Sequence, residues 1–286
     1  MIAIVEASAP TRELVLLLPP LAERAVKLAQ QQGAVVVAGG DGTINAVAQV
    51  ALNSGLPFGV LPQGTFNYFS RAHGIPAETA TATRLLLEAT VRWVQVGLLN
   101  DRVFLVNASL GLYPQLLEER EAYKQKYGRS RLVALGAGVL TLLRTHRQLV
   151  LRLEHESQSR VLRTPTLVVG NNALQLEQVG IPHAEALQQG QLVAMAVRPI
   201  GTLALFGLLY RGALGQLGDT DNIVSFAFDR LTVRPYRRRR IKVAMDGEVT
   251  WLRTPLVFQV APHALPLLVP APTLTTSPVD ANEAAR

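Results

Sequence analysis

The residues best suited to chemistry follow an apolar, β-branched run at Val35–Ala38. Three glycines, Gly39, Gly40 and Gly42, surround Asp41, and a helical pattern of apolar residues begins directly afterwards. Such a loop lets the backbone approach a ligand closely, and the first turn of the helix offers unpaired amides to an anion. The segment predicts a phosphate-binding loop, with Asp41 placed to hold a metal ion or to receive a proton. For the glycines alone, a plain strand-to-helix turn is an alternative.

A second loop of the same kind follows the next apolar run, Phe58–Leu61. It reads Pro-Gln-Gly-Thr at 62–65, and Asn67 stands before another helical start. Ligands of open α/β sheets bind beyond the carboxyl ends of the strands, so both loops are expected to face one ligand. The alternative is a Pro-Gly turn in which Thr65 or Asn67 only caps the helix.

A third motif, Asp246-Gly247-Glu248, lies between two apolar segments late in the chain. Asp-Gly in this setting is the ordinary signature of a type I′ hairpin. A rigid hairpin can also aim a carboxylate into a cleft, so the turn and a functional role for Glu248 are compatible.

In this order and spacing the three motifs resemble the diacylglycerol kinase catalytic-domain family, which includes sphingosine kinases and bacterial lipid kinases. The resemblance rests on GGDGTIN at 39–45, LPQGTFNYFSRAHGIP at 61–76 and MDGEV at 245–249, and it extends from about Ala34 to Pro270. GGDGT alone is shared with NAD kinases. The second loop and the late Asp-Gly-Glu are what favour a lipid kinase.

The pattern of elements changes near residue 97, from strand–helix alternation to short apolar and β-branched runs. This predicts an α/β N-terminal nucleotide-binding domain over 1–97 and a mostly β, sandwich-like C-terminal domain over 98–270, with the active site in the cleft between them. Residues 271–286 are small and polar, and we expect a disordered tail. A helix is predicted at Pro76–Leu87, and further helices near Gln115–Lys126 and Arg131–His146. Strands in the second domain are predicted at Val103–Asn107, Leu149–Leu153, Thr166–Gly170, Leu192–Val197, Ile223–Phe228, Leu231–Arg234, Ile241–Met245 and Leu256–Val260.

The resemblance implies transfer of the γ-phosphoryl group of ATP to a lipid hydroxyl, with Mg²⁺ bridging phosphate oxygens. Glu248 aligns with the family's proton acceptor, and Asp41 would orient the metal, through ATP–Mg²⁺, or the acceptor hydroxyl. The implied nucleotide-binding residues are Gly39, Gly40, Asp41, Gly42, Thr43, Ile44, Asn45, Gly64, Thr65 and Asn67. In the same way, Asn107 and Ser109 are candidate cleft residues, with capping of the turn around Gly111 as the alternative.

Three positions depart from the family pattern. Nothing before Ala34 matches the usual Asn-Pro-x-Ser-Gly-like loop, Ala46 stands where a glutamate is common, and Gln189-Gly190 replaces an Asp-Gly pair that carries an accessory metal in bacterial relatives. We therefore do not predict that accessory metal. Two alternatives stay open: a nucleotide- or lipid-binding pseudokinase, and an NAD kinase.

The net charge of the 286-residue chain is +7, and Arg237–Arg240 with Lys242 form its densest basic cluster. For an enzyme that acts on a bilayer lipid, such a cluster predicts peripheral contact with anionic headgroups. A solvated edge strand is the alternative, and no motif typical of nucleic-acid binding accompanies the charge.

The chain has no cysteine, and its N-terminus lacks the basic start and apolar core of a secretory signal. Its longest uncharged apolar run, Leu132–Leu143, is too short to cross a bilayer, which takes about 20 residues. These features predict a cytoplasmic protein, and the resemblance to lipid kinases implies that it is peripheral to the inner face of the membrane.

Overall fold

A computed structural model describes most of the chain, namely residues 2–6, 12–29, 33–118, 148–156, 158–181, 183–217 and 221–271. Its strands form two sheets. In that part of the chain no helix has both the length and the apolar character needed to cross a membrane.

The first sheet has nine strands and begins with the parallel neighbours β1 (Ile2–Glu6), β2 (Ala34–Gly39) and β3 (Phe58–Pro62). The others are β4 (Thr90–Leu99), β5 (Arg102–Phe104), β7 (Leu149–His155), β8 (Gln158–Thr164), β12 (Arg230–Pro235) and β15 (Leu256–Val269). Their order is β1-β2-β3-β15-β12-β7-β8, and β4 pairs with both β15 and β5. The parallel part of the sheet is built from the strand–helix alternation that the sequence indicated.

The second sheet has six strands in the order β11-β10-β9-β6-β13-β14. These are β6 (Asn107–Gly111), β9 (Thr166–Gly170), β10 (Leu192–Val197), β11 (Ile223–Phe228), β13 (Arg240–Met245) and β14 (Glu248–Arg253). All of its neighbouring strands are antiparallel.

Helices cover both sheets. They are α1 (Arg12–Ala29), α2 (Asp41–Ala51), α3 (Tyr68–Ala72), α4 (Thr79–Glu88), α5 (Ala173–Gln178), α6 (Ala184–Gln188) and α7 (Thr202–Ala213). Residues 112–118 are also helical.

The long strand β15 belongs to both hydrophobic cores. Its second half, with Leu265 and Leu267, packs in the N-terminal core around β2 and α2. Its first half, with Leu256 and Phe258, packs in the core between the two sheets. The predicted fold class, an α/β part joined to a mostly β part, is confirmed. The boundary at residue 97 stays a prediction, and β4 runs through that residue.

Most predicted elements are present, with ends shifted by a few residues. One prediction is wrong: the strand expected at Val103–Asn107 is split, because β5 ends at Phe104 and β6 begins at Asn107. The amides of residues 105–107 turn aside there to bind a buried carboxylate, which is described below. The strands β1, β4, β8 and β14 were not predicted. The helix expected at Arg131–His146 lies outside the described residues, as do most of the helix at Gln115–Lys126 and residues 272–286 of the tail.

Candidate active site

The two glycine-rich loops touch each other, as the neighbouring parallel strands β2 and β3 require. The amide of Gln63 donates to the carbonyl of Gly39 over 2.9 Å. A Cβ atom on Gly64 would lie 2.6 Å from the Cα of Gly40 and 2.7 Å from Oδ1 of Asn67. No side chain fits in that gap, so glycine at position 64 is what allows the loops to close on each other.

We expect Gly64→Ala to weaken ATP binding and to lower the free energy of unfolding by about 1–3 kcal/mol, because the new methyl group forces the loops apart. Isothermal titration calorimetry with ATP and chemical unfolding measure the two effects. Gly207→Ala is the matched control, since a Cβ atom there meets nothing within 4 Å. Unchanged ATP affinity in Gly64→Ala would show that loop contact is irrelevant to the nucleotide.

Asp41 joins the two loops by capping a helix that is not its own. Its carboxylate accepts hydrogen bonds from the amides of Tyr68 (3.2 Å) and Phe69 (3.1 Å), the first two residues of α3. The residue in the N-cap position of α3, Asn67, makes no side-chain cap. A negative charge also favours this end of a helix. The predicted metal or acceptor role of Asp41 therefore has to be compatible with a structural role.

Four other predicted nucleotide contacts shape the loops from inside. Asn67 adopts a left-handed conformation (φ 49°), and its side chain bonds both the amide (2.8 Å) and the carbonyl (2.9 Å) of Gly64. Thr43 is buried against Gly39, and Ile44 is fully buried in the N-terminal core. Asn45 donates to the carbonyl of Val103 (2.7 Å) and to a carboxylate oxygen of Asp246. Direct nucleotide contact by these four side chains stays a prediction.

The buried carboxylate of Asp246 holds together three distant parts of the chain. It accepts hydrogen bonds from the amides of Leu105 (2.7 Å), Val106 (2.9 Å) and Asn107 (2.9 Å), and from Nδ2 of Asn45 (2.8 Å). Burial raises the pKa of the Asp246 carboxyl to about 6, although the four donated hydrogen bonds favour its charged form. These four hydrogen bonds join α2, the segment before β6 and the hairpin that carries Glu248.

Glu248 lies beside the first glycine-rich loop. Asp246 and Gly247 both have positive φ (46° and 91°), and Met245 pairs with Glu248, so the predicted type I′ turn is confirmed. A Cβ atom on Gly42 would lie 3.3 Å from Oε1 of Glu248. The hairpin therefore brings an exposed carboxylate to the first turn of α2. Glu248 meets the Gly39–Gly42 loop here, and that loop in turn contacts Gly64.

An apolar cavity of about 400 Å³ reaches Tyr68, the first residue of α3 after the second loop. It lies on the face of the six-stranded sheet that carries Val168 and Met195, under α5 and α7. Its lining is Tyr68, Asn107, Leu112, Tyr113, Leu116, Thr166, Val168, Gln175, Leu176, Val179, Ile181, Met195, Ala196, Val197, Leu205, Leu208, Leu217 and Ile223.

The polar residues of this cavity connect it to the loops. The amide of Tyr68 is held by Asp41, and the amide of Asn107 is held by Asp246. The side chain of Asn107 donates to Oε1 of Gln175 (2.9 Å), and Asn172 donates to the carbonyl of Tyr68 (3.1 Å). The cavity is therefore lined by two residues, Tyr68 and Asn107, whose amides are bound by the carboxylates of Asp41 and Asp246.

The alternative for Asn107 and Ser109, capping of the turn around Gly111, is wrong. The side chain of Asn107 binds Gln175, and the buried Oγ of Ser109 has no hydrogen-bond partner within the described residues. Sequence reasoning missed Tyr68, Asn172 and Gln175. A signal for Asn172 was present, since Asn-Asn directly follows the strand β9, and Asn172 caps α5 by accepting from the amide of Gln175 (3.0 Å).

Comparison with known proteins gives the same assignment for the first part of the chain. The family model described as "Diacylglycerol kinase catalytic domain" matches residues 10–99. The predicted resemblance to the diacylglycerol kinase catalytic-domain family is confirmed. A diacylglycerol kinase of Staphylococcus saprophyticus is 34% identical over 99 residues, which are 34% of this chain and 32% of that protein. A "Probable lipid kinase YegS-like" of Chromohalobacter salexigens is 34% identical over 113 residues, which are 38% of this chain and 34% of that protein.

Matches over a longer part of the chain are weaker in sequence. An uncharacterized protein of Synechocystis sp. is 25% identical over 82% of this chain, and the match spans 54% of that protein's length. The chain thus spans about half or less of these relatives. A crystal structure of a diacylglycerol kinase from Bacillus anthracis str. Sterne has a TM-score of 0.62 and 18% identity, covering 94% of this chain and 96% of that one. At this identity the likeness shows the fold.

Two of the positions that depart from the diacylglycerol kinase pattern, Ala46 and Gln189-Gly190, lie within the described residues. Ala46 is partly buried and packs against the N-terminal core, so the position of the usual glutamate is apolar here. Gln189 ends α6, and Gly190 follows it with φ 79°. The described residues contain no group of three or more His, Asp or Glu side chains that could hold a metal ion.

Proposed function

We propose that this protein is an ATP-dependent lipid kinase that transfers the γ-phosphoryl group of ATP to a hydroxyl group of a diacylglycerol-like lipid. One observation carries the proposal: an exposed carboxylate, Glu248, lies beside a glycine-rich helix N-terminus, and an apolar cavity is lined by Tyr68, whose amide is bound by Asp41 of the same loop. The family resemblance of residues 10–99 supports it.

The nucleotide would bind with its phosphates at the first turn of α2. This helix has 11 residues. Its N-cap residue is Gly40, which has no side chain to bind the amides of the first turn. Its amides and its positive dipole end suit a polyphosphate. The contact between Gly40 and Gly64 would close the loop behind the phosphates.

A magnesium ion would arrive with the nucleotide. Mg²⁺ is commonly held by one or two carboxylates together with substrate phosphates, and Asp41 is the carboxylate of the first loop. Each of its oxygens accepts one amide hydrogen bond, which leaves lone pairs for a cation. When bound, the ion would neutralise charge on the phosphate oxygens.

Glu248 would act as the general base. It would take the proton of the acceptor hydroxyl while that oxygen bonds to the γ-phosphorus, and the bond from the γ-phosphorus to ADP would break. The side chain of Glu248 is exposed at the start of β14, beside the loop that would hold the phosphates, which suits this role.

The cavity would hold an acyl chain of the acceptor. Most of its lining is aliphatic, and two of its polar residues, Tyr68 and Asn107, are tied by their amides to Asp41 and Asp246. A lipid bound in this orientation would place its hydroxyl end near Glu248.

Filling the cavity tests this proposal. We expect Val168→Phe to raise the KM for a long-chain diacylglycerol at least tenfold and to leave the ATP affinity unchanged, because the new ring occupies the space of the acyl chain. The assay is transfer of labelled phosphate from ATP to lipid in mixed micelles. Val161→Phe is the matched control, since Val161 is exposed on β8, away from the cavity. A Val168→Phe enzyme with the kinetics of the wild type would mean that the acceptor binds elsewhere.

A further inference from the structure

The face of the six-stranded sheet that lines the cavity continues across the whole sheet. Paired residues on this face form one row from β11 to β14: Ser225, Met195, Val168, Ser109, Ala244 and Val249. Two residues further along β13 and β14, Lys242 faces Trp251, and two residues beyond these Arg240 faces Arg253. Because side chains alternate between faces, these four residues lie on the cavity face.

This end of the sheet carries exposed aromatic and basic side chains. We call Tyr236, Arg237, Arg238, Arg239, Arg240, Trp251 and Arg253 the cationic strip. Trp251 is 54% exposed and Tyr236 is 64% exposed. The guanidinium of Arg237 lies 5.1 Å from the centre of the Tyr236 ring, and Nζ of Lys242 lies 5.4 Å from the centre of the Trp251 ring.

Hydrogen bonds from Thr254 fix the segment between β12 and β13, which carries part of the cationic strip. Thr254, just after β14, donates its hydroxyl to the carbonyl of Arg238 (2.7 Å) and its amide to the carbonyl of Arg239 (3.1 Å). The strip therefore presents its arginines from an ordered backbone.

The charges of the strip repel one another. Arg240 and Arg253 are exposed and directly opposite across the strand pair, an arrangement that destabilises a sheet. Between Asp229 and Asp246 the sequence has six arginines, one lysine and no acidic residue. A nearby acid, Glu118, already forms an ion pair with Lys242 (2.6 Å). A bound anion would remove the repulsion, so the arrangement points to an anionic partner.

The aromatic residues and the position of the strip identify this partner. Tryptophan and tyrosine, with an apolar ring and a polar group, are the residues that concentrate at the membrane–water interface. Arg240, Trp251 and Arg253 of the strip also lie on the cavity face, two or three strand spacings (~10–14 Å) across the sheet and two to four residues (~7–14 Å) along it from the row that contains Val168.

We propose that the cationic strip docks on the surface of a bilayer that contains anionic phospholipids. Arg240 and Arg253 bind headgroup phosphates, and Trp251 and Tyr236 enter the interfacial layer. That the docked protein turns its cavity toward the lipid rests on the proposed function, but vesicle binding itself does not.

The test is co-sedimentation of the full chain with phosphatidylcholine vesicles, with and without phosphatidylglycerol. The double variant Arg240→Gln/Arg253→Gln should bind the anionic vesicles roughly thirtyfold more weakly than wild type. It should melt at the same or a higher temperature, because the like-charge pair is gone. The charge-matched control is Arg84→Gln/Arg163→Gln, two exposed arginines on α4 and β8, which should bind like wild type. Trp251→Ala should also weaken binding.

Equal vesicle binding by the two double variants would overturn the proposal, because general charge would then explain the attraction. Displacement of the protein from vesicles by a short nucleic-acid duplex, or by inorganic phosphate, at concentrations below that of accessible anionic lipid would also overturn it and identify a different anion. Phosphotransfer to a short-chain acceptor in detergent is measured in parallel. Vesicle binding without phosphotransfer would support the docking surface and reject the proposed function. Phosphotransfer without vesicle binding would support the proposed function and reject the docking surface.

Discussion

We expect Glu248→Gln to lower the rate of phosphoryl transfer to a lipid hydroxyl by about 10²–10⁴-fold, the usual contribution of a general base. Glutamine has the size and shape of glutamate, but its amide does not take up the hydroxyl proton. Glu248 is exposed at the start of β14, so the substitution changes no buried contact of the cores. The protein should therefore keep its fold and its affinity for ATP.

The measurement is kcat for label transfer from ATP to lipid, with ATP affinity determined on the same preparations. Glu88→Gln, an exposed glutamate at the end of α4, is the control and should retain full activity. A Glu248→Gln enzyme within a few-fold of wild type would remove the proposed base. A loss of ATP binding in parallel with kcat would instead assign Glu248 to the nucleotide site.

Asp246→Ala should be the most destabilising single substitution near the site. It leaves three backbone amides and the Asn45 amide without their acceptor, and each buried unsatisfied donor costs about 1–3 kcal/mol. Allowing for water entry, we expect a loss of about 3–5 kcal/mol in the free energy of unfolding. Activity should fall with stability, because the same tie fixes the hairpin that carries Glu248. Urea denaturation measures the loss.

The pH dependence of the free energy of unfolding distinguishes the effect of the Asp246 charge from the effect of its packing. The pKa of its carboxyl is about 6 when folded, against 3.8 for an ordinary aspartate. The folded state binds this proton more tightly, so the part of the stability that comes from proton binding at Asp246 is full below pH ~4 and is lost as the pH rises through about 6. The deficit of Asp246→Asn relative to wild type should therefore shrink between pH 4 and pH 7. A deficit that stays constant or grows with pH would contradict a raised pKa.

The parts of the site that the sequence predicted are those set by local chemistry. The spacing of Gly39, Gly40 and Gly42 after a buried strand, and the Asp-Gly turn before Glu248, each determine the backbone within a few residues. The structure has the strand-to-helix loop and the hairpin turn where they were predicted, and phosphate binding by the loop stays a prediction.

The parts that the sequence did not predict depend on partners far along the chain. Asp41 caps a helix that begins 27 residues later, and Asp246 binds amides about 140 residues earlier. A carboxylate carries no mark of which amides it will meet, so Asp41 was assigned to chemistry only. The strand predicted across Val103–Asn107 was wrong for the same reason, because Asp246 draws those amides out of the sheet.

The pairing partners of β4 and β15 also could not be predicted from the local sequence pattern. These two strands pair with each other over most of their length, and β15 also adds its end to β3. Apolar runs show that such strands are buried but not which neighbour they choose. The cavity, which β9, β10 and three helices enclose together, could not be read from any one segment.

The most direct test of the central claim is transfer of radiolabelled γ-phosphate from ATP, with Mg²⁺, to a panel of lipids that each carry a free hydroxyl. The account predicts a labelled lipid phosphate and stoichiometric ADP from wild type, and almost no labelled product from Glu248→Gln. ATP binding by the folded wild-type protein with no labelled lipid across diacylglycerols, sphingoid bases and glycolipid precursors would contradict it, and a nucleotide-binding pseudokinase would then be the better description.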